Sequence, residues 1–272
     1  MIPAAFEYER VASADEALAL IGEHGDDAKL LAGGMSLLPL MKLRLATPTV
    51  VVDVGRVTDL SYIRDAGDHL AVGALTRHRD LETSDLLERE CGVLRAVAAH
   101  VGDKPVRHPG PQGGSGAHRD PASDLPAALL ALDARFVVRG PAGERIVGAA
   151  DFFVGFLETA LAPDELLTEI RVPKSGGTGF GFEKLNRRAQ DYAIVGAVAA
   201  RVGSGVHVGL VNMGSVPVRA HAVEHALEQG ASIEVAAREA AAGLDPPGDL
   251  NASPEYRAHL ARVAVRRALA SV

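Results

Sequence analysis

The chain has 272 residues, of which 47% are hydrophobic and 23% are charged, a balance typical of a globular protein. Its net charge of −7 and its low aromatic content (4%) argue against a nucleic-acid partner, because phosphate binding needs cations and base stacking needs aromatic rings. The single cysteine, Cys91, excludes an internal disulfide and a cysteine-ligated iron–sulfur cluster within this chain. The sequence has neither a signal-peptide pattern nor an apolar run long enough to cross a membrane, so we expect a cytoplasmic protein.

The first part of the chain alternates between helix and strand signals. Ser13-Ala14-Asp15-Glu16 has the pattern of a capping box, which predicts a helix that starts there. We expect a short apolar strand at residues 29–32, a helix at 36–42 and a buried, β-branched strand at 49–54. The glycine pair in Ala32-Gly33-Gly34-Met35-Ser36 lies between the first strand and its helix. A strand, a glycine turn and a helix N-terminus together direct main-chain N–H groups at an anion.

A second glycine pair lies in the middle of the chain, in Gln112-Gly113-Gly114-Ser115. Before it, the spacing predicts a strand at 69–73 and helices at 76–87 and 93–100. Residues 102–121 around it show little periodicity, which is typical of a functional loop or a disordered segment. Two such glycine loops facing one another would hold the two phosphates of a dinucleotide. The chain has 29 glycines, so spacing alone leaves two ordinary turns as the alternative.

The remaining segments predict an α+β architecture with a boundary near residue 175. Up to this boundary we expect a helix at 124–133, a hairpin of 135–139 and 144–147, a strand at 165–172 and a linker at 175–179. Beyond it we expect an antiparallel sheet with strands at 181–185, 193–202 and 206–213, followed by helices at 219–229, 233–242 and 256–270.

In this order, and across nearly the whole chain, these segments resemble the flavin-binding medium subunit of the molybdenum hydroxylases. This family includes enzymes of the carbon monoxide dehydrogenase and xanthine dehydrogenase type. The segments that carry the resemblance lie beside the glycine loops, at the end of the first domain, and at both ends of the second. They are residues 31–39, 118–129, 152–155, 165–173, 184–193, 255–257 and 265–269.

The resemblance implies an FAD-binding domain of two α/β subdomains, of the type named PCMH, and a C-terminal domain with a small antiparallel sheet and helices. The FAD-binding domain would span residues 1–174, with subdomains at about 1–55 and 56–174. The C-terminal domain would span residues 179–272, and FAD would be held between the two N-terminal subdomains and this domain.

The FAD site implied by the resemblance consists of both glycine loops and four residues outside them. The pyrophosphate is expected on Ala32, Gly33, Gly34, Met35 and Ser36, and on Pro111, Gln112, Gly113, Gly114 and Ser115. Asp124 is expected to hydrogen-bond polar parts of the flavin, Lys184 to reach its electron-rich end, and Tyr192 to pack over a ring face. Leu167 takes the position of a strand-end backbone contact near the ring. The alternatives are a helix N-cap for Asp124 and a core leucine for Leu167.

The second loop departs from the family pattern. The family normally has Thr-Ile-Gly-Gly preceded by Arg-Asn-Arg-Gly, whereas this chain has Arg107-His108-Pro109-Gly110 followed by Pro111-Gln112-Gly113-Gly114. Pro111 lacks a hydroxyl and an N–H that would reach phosphate, and Gln112 replaces an apolar residue. Each charge-assisted hydrogen bond lost is worth about 1.5–3 kcal/mol, so weakened FAD binding is an open alternative.

The function implied is that of an FAD-binding electron-transfer subunit in a molybdenum-containing dehydrogenase, and hence of an oxidoreductase. The flavin would carry the redox chemistry, so we assign neither a catalytic side chain nor a metal site to this chain. A large subunit with the molybdenum cofactor and a small subunit with iron–sulfur clusters would be its partners, and NAD, a quinone or oxygen its electron acceptor. Two alternatives stay open: a stand-alone flavoprotein oxidoreductase of a specialised pathway, and a flavin-free binding or scaffold protein.

Overall fold

The computed structural model describes residues 1–272, and its N-terminal part is a small parallel sheet with a helix packed on it. The elements are β1 (Glu7–Arg10), α1 (Ala14–His24), β2 (Ala28–Leu31), α2 (Leu37–Lys42) and β3 (Val50–Asp53). The strand order is β1-β3-β2, so the three valines of β3 lie in the centre of the sheet and are buried. The Ser13 hydroxyl accepts a hydrogen bond from the Glu16 N–H at 3.2 Å, as the capping box predicts.

The middle part of the chain is built on a five-stranded antiparallel sheet of order β4-β5-β10-β6-β7. Its strands are β4 (Ile63–Asp65), β5 (His69–Gly73), β6 (Arg135–Gly140), β7 (Gly143–Gly148) and β10 (Leu166–Pro173), and a separate hairpin consists of β8 (Phe153–Gly155) and β9 (Glu158–Thr159). Its helices are α3 (His78–Glu82), α4 (Asp85–Glu90), α5 (Gly92–Ala99), α6 (Lys104–Arg107), α7 (Gln112–His118), α8 (Asp124–Ala131) and α9 (Ala149–Phe152). The core includes Phe136, whose ring stacks on that of Phe152 at 3.8 Å between centroids.

The C-terminal part is a four-stranded antiparallel sheet of order β11-β12-β13-β14, covered on both faces. Its elements are β11 (Phe180–Leu185), β12 (Val195–Val202), β13 (Gly205–Val211), β14 (Val218–Arg219), α10 (His221–Glu228), α11 (Ile233–Ala236) and α12 (Pro254–Leu269). Helix α12 packs on β11 and β12, and Gly181 has no side chain where the Ala268 carbonyl approaches it. Helix α8 packs on β12 and β13, and all its residues are buried. Because α8 also contributes to the core of the five-stranded sheet, it lies between that sheet and the C-terminal sheet.

The α+β class and most of the predicted elements are confirmed. The single helix predicted at 76–87 is wrong, because Ser84 caps a new helix through the Leu87 N–H (3.2 Å) and the segment divides into α3 and α4. The irregular stretch predicted at 102–121 contains two short helices, α6 and α7, the first capped by Asp103. Strands of two to four residues, such as β1 and β9, are too short for a periodic sequence signal.

The segment predicted as a linker is held against the helices that precede it. The Gly176 carbonyl accepts a hydrogen bond from the Gly92 N–H at 3.0 Å, and the N–H groups of Ser175 and Gly176 both donate to the Glu90 carbonyl. A Cβ atom at Gly177 would lie 2.5 Å from the Glu88 carbonyl oxygen, so the close approach requires glycine there. None of the helices in the fold combines the length and the hydropathy that a membrane span would need.

Candidate functional site

The two glycine loops are in direct contact. A Cβ atom at Gly33 would lie 2.5 Å from the Pro109 carbonyl oxygen and 2.8 Å from Cδ of Pro111. Any side chain at position 33 would therefore push the loops apart, and only glycine fits between them. The loops form one continuous main-chain surface at the end of β2 and the start of α7.

The first loop presents a row of main-chain donors without acceptors. Residues 32–37 donate no hydrogen bond to any backbone or side-chain atom of the chain. Gly34 has a φ of 71°, which turns the chain here, and the Ser36 side chain does not cap the helix α2 that follows. Consecutive unpaired N–H groups at a turn before a helix form a concave site for an anion. Free donors of this kind are rare in folded proteins unless water or a ligand accepts from them.

The second loop is the first turn of helix α7, and only part of it faces outward. The Gln112 N–H donates to the Thr76 carbonyl at 2.8 Å, and the Gly113 N–H donates to the Ala74 carbonyl at 2.9 Å. A Cβ atom at Gly113 would lie 2.5 Å from that same Ala74 oxygen. Gly113 is therefore required for packing, whereas the N–H of Gly114 has no acceptor in the chain. The donor that this loop offers to a ligand is Gly114.

Two polar side chains of the α7 segment are buried without hydrogen-bond partners. Gln112 and Arg119 are both 0% exposed, and neither the Gln112 amide nor the Arg119 guanidinium finds a partner within the chain. Burial lowers the pKa of Arg119, while the charges of Glu158 and Asp120 raise it. Sequence reasoning missed this arginine as a buried group, because an arginine between two polar residues usually indicates a solvated surface.

Asp124 and Lys184 form a buried ion pair that joins α8 to β11. Lys184 Nζ lies 2.6 Å from Oδ2 of Asp124 and donates to the His100 carbonyl at 3.0 Å. The other carboxylate oxygen, Oδ1, is buried and has no partner. Burial raises the pKa of Asp124 to about 6, and the charge of Lys184 opposes this rise. The pair thus keeps one unpaired acceptor at the junction of the two parts of the chain.

Tyr192 is exposed beside a cleft, whereas Leu167 is in the core. The Tyr192 side chain is 58% exposed and lines a cleft of about 390 Å³ together with Asp120, Ala122 and Asn212. Burial of the hydroxyl and the charges of Asp120 and Asp124 raise the pKa of Tyr192. Leu167 is 5% exposed and lies beneath α7, where its Cδ2 would be 3.8 Å from a Cβ at Gly116. A β-bulge follows Leu167, so any contact of this residue with a ligand would use its main chain.

A second cleft of about 450 Å³ lies on the other side of the segment that precedes Tyr192. It is lined by Gly102, Asp103, Val106 and residues 188–191. The Arg188 side chain is 84% exposed and pairs with Asp191 at 3.1 Å. The segment 187–192 therefore forms a ridge between two open clefts, both of them next to the junction of the two parts.

The floor of the Tyr192 cleft is fixed by Arg257 of α12, which is fully buried. Its guanidinium donates to the carbonyl oxygens of Ile194 and Asn212 and pairs with Asp249 at 3.0 Å. All three partners line the cleft. A single buried cation thus joins three separate segments that line the cleft, two through their main chain and one through the Asp249 carboxylate.

The residues present fit an FAD. The unpaired N–H groups of the first loop and of Gly114 match the acceptors of a diphosphate, and the absence of side chains at the contact leaves room for it. The free Oδ1 of Asp124 and the exposed ring of Tyr192 match the polar edge and the face of an isoalloxazine.

Comparison with known proteins agrees with this fit. A family model described as the FAD binding domain in molybdopterin dehydrogenase matches residues 4–175, and one described as the CO dehydrogenase flavoprotein C-terminal domain matches residues 180–272. The chain is a flavoprotein medium subunit of the molybdenum hydroxylase family. It therefore belongs to an oxidoreductase, and its cofactor is FAD.

Individual relatives are similar over nearly their full lengths. The chain is 39% identical to the carbon monoxide dehydrogenase medium chain of Hydrogenophaga pseudoflava, with 99% of this chain and 97% of the relative covered. It is 37% identical to subunit alpha of the 6-hydroxypseudooxynicotine dehydrogenase complex of Paenarthrobacter nicotinovorans, with 99% and 95% covered. A solved structure of carbon monoxide dehydrogenase from Hydrogenophaga pseudoflava, which lacks the Mo-pyranopterin moiety of its molybdenum cofactor, superposes with a TM-score of 0.95 at 40% identity and covers 100% and 98% of the two chains.

The buried Asp124 should make the stability of the chain depend on pH. Its carboxyl has a pKa of about 6 in the folded chain against an ordinary value of 3.8, so the folded state binds an extra proton between these values. The resulting stabilisation is complete below about pH 4 and is lost as the pH rises through about 6. The unfolding free energy of the wild type minus that of Asp124→Asn should therefore fall by about 2–3 kcal/mol from pH 4 to pH 7, measured by urea denaturation. A difference that stays constant over this range would show that the carboxyl is ionised in the folded chain throughout.

Proposed function

We propose that the chain binds FAD across the contact between its two glycine loops and relays electrons from iron–sulfur clusters of a partner subunit to an external acceptor. The observation that carries this proposal is the row of unpaired main-chain N–H groups at residues 32–37, which lies where Gly33 meets the second loop. We infer further that residues 1–174 form the FAD-binding domain and residues 179–272 the C-terminal domain.

The diphosphate would bind to main chain rather than to cationic side chains. The N–H groups of residues 33–37 and of Gly114 are free, and hydrogen bonds from several such groups to phosphate are charge-assisted and therefore strong. Pro111 contributes no N–H, and its ring instead packs against Gly33. The donors missing from the second loop are thus offset by the complete row in the first loop, which supports FAD binding despite the atypical sequence.

The flavin ring would lie in the cleft beside Tyr192. FAD, when bound, supplies the redox chemistry of its isoalloxazine ring. The chain's own residues would position that ring: Tyr192 packs on one face, Asp124 Oδ1 accepts a hydrogen bond from a polar group, and Lys184 holds Asp124 in place. The backbone at Leu167, next to its β-bulge, would lie near the ring from beneath α7. The open side of the cleft leaves access for an acceptor, which we propose to be NAD, a quinone or oxygen.

The partners would be a large subunit with the molybdenum cofactor and a small subunit with iron–sulfur clusters. This chain has one cysteine and cannot ligate such clusters itself. Apolar side chains are exposed next to the first glycine loop and at the tip of the β8–β9 hairpin: Met35 (42%), Leu38 (37%), Leu45 (73%), Val154 (54%) and Phe156 (67%). Apolar side chains grouped on an exposed surface are characteristic of protein interfaces. They support an assembly over a stand-alone flavoprotein.

Gly114→Asp should abolish FAD binding without unfolding the chain. Position 114 is in the first turn of α7, where an acidic side chain favours the helix, and a Cβ there meets only the Pro111 ring at 3.2 Å. The carboxylate would repel the diphosphate, so we expect the dissociation constant for FAD to rise at least about 100-fold, equivalent to roughly 2.7 kcal/mol. The neutral isostere Gly114→Asn is the matched control and should weaken binding far less. Titration by flavin fluorescence measures both; equal losses in the two variants, or none in Gly114→Asp, would place the phosphates elsewhere.

Tyr192→Ala should change the flavin more than the fold. Because the side chain is 58% exposed, its removal should alter the unfolding free energy by less than about 0.5 kcal/mol. Loss of stacking should weaken FAD binding about 3- to 10-fold and increase the fluorescence of the bound flavin. Tyr192→Phe should retain both properties, and Tyr256→Ala, which removes an exposed tyrosine of α12, is the control for surface truncation. If Tyr192→Ala binds FAD with unchanged affinity and fluorescence, the ring does not lie on this tyrosine.

A further inference from the structure

His78 lies beneath the second glycine loop and contacts it at two points. His78 is 2% exposed, and its main-chain N–H donates to the Gly110 carbonyl at 2.9 Å. A Cβ atom at Gly110 would lie 3.2 Å from Cδ2 of the His78 ring, so the ring packs against the loop where it enters α7. On the other side of the turn, Nε2 of His78 lies 3.1 Å from the hydroxyl oxygen of Ser115. The imidazole thus supports the loop from Gly110 to Ser115.

The ring is neutral near pH 7, which limits it to two tautomers. Burial and the positive charge of Arg107 lower the pKa of His78 to about 4. A neutral imidazole carries its proton on one nitrogen and a lone pair on the other. Nδ1 is buried and has no hydrogen-bond partner, while Nε2 has Ser115.

The buried environment decides between the tautomers. With the proton on Nδ1, the ring would bury an N–H that donates to nothing, and orphaned buried N–H groups are rarer in proteins than under-satisfied acceptors. With the proton on Nε2, that N–H donates to Ser115 and Nδ1 presents only its lone pair. The Nε2–H form is therefore the more stable one.

This tautomer fixes what the Ser115 hydroxyl can do. His78 is the only hydrogen-bond partner of that hydroxyl oxygen within the chain. If the oxygen accepts from Nε2–H, the hydroxyl proton must be donated elsewhere, and Ser115 is half-buried at the same turn as the free N–H of Gly114. We propose that His78 is a positioning residue for the diphosphate: by donating from Nε2 to Ser115, it directs the Ser115 O–H to a phosphate oxygen. The inference rests on the proposed FAD binding and adds a side-chain donor to the main-chain ones.

A double-mutant cycle tests this inference. A hydrogen bond to a charged phosphate is worth about 10- to 100-fold in affinity, so Ser115→Ala and His78→Leu should each raise the dissociation constant for FAD by that factor. Because Ser115→Ala removes the hydroxyl and His78→Leu removes the group that orients it, both disrupt the same hydrogen bond to phosphate. The double variant should therefore bind FAD no more weakly than the single variant with the lower affinity. His78→Gln, whose amide nitrogen reaches the position of Nε2, should bind within about 3-fold of the wild type. Additive losses, an unchanged affinity in Ser115→Ala, or failure of His78→Gln to retain binding while it remains folded would overturn the inference.

A spectroscopic measurement on the wild-type chain reports the tautomer directly. A long-range ¹H–¹⁵N correlation spectrum of the wild-type chain distinguishes the tautomers, and His78 is assigned by its absence from the spectrum of His78→Gln. We expect a protonated Nε2 and an unprotonated Nδ1; the reverse pattern would overturn the inference. A wild-type chain that takes up no FAD would overturn the proposed function and this inference together, whereas FAD binding with the wrong tautomer would overturn the inference alone.

Discussion

The site depends on the close approach of two main-chain segments that are far apart in sequence. The Pro109 carbonyl and the Pro111 ring approach Gly33 so closely that no side chain would fit at this position. The N–H groups of residues 32–37, beside this contact, have no partners in the chain, so the energetic cost of unpaired donors is concentrated at one place. A ligand rich in anionic oxygen supplies the missing acceptors and so relieves that cost. FAD binding should therefore stabilise the local fold of the first loop.

The second glycine loop contributes in a different way from the first. Its glycines allow α7 to pack against the carbonyls that follow β5, and two of its N–H groups are used in that packing. What remains for a ligand is the Gly114 N–H and the hydroxyl of Ser115, oriented by the buried ring of His78. The loop tolerates prolines at 109 and 111 because its main role is packing. Few of its N–H groups are needed as donors to the ligand, so the N–H groups that proline lacks are not required.

The sequence predicted the architecture of the chain well, because capping boxes, β-branched runs and alternating strands are local signals. Ser13 with Glu16 and the valines of β3 are examples. Through the resemblance to a family, it also predicted that both glycine loops, Asp124 and Lys184 belong to one FAD site, whereas the ion pair between Asp124 and Lys184 became evident only in the structure. It could not predict which loop donors are free, since the bonds from Gln112 and Gly113 to the segment that follows β5 depend on tertiary contacts. For the same reason, no sequence signal indicated the burial of Arg119 or the role of His78. A lone polar residue is predicted to be exposed, and only the tertiary structure shows whether its neighbours bury it.

We propose that the unpaired N–H groups of the first loop bind the diphosphate of FAD. Amide hydrogen exchange with and without FAD tests it at the level of individual donors. The amides of residues 33–37 and of Gly114 have no acceptor in the chain, so they should exchange quickly in the free protein and become protected when FAD is added. FAD binding that leaves the exchange of these amides unchanged would show that the diphosphate does not bind to the first loop.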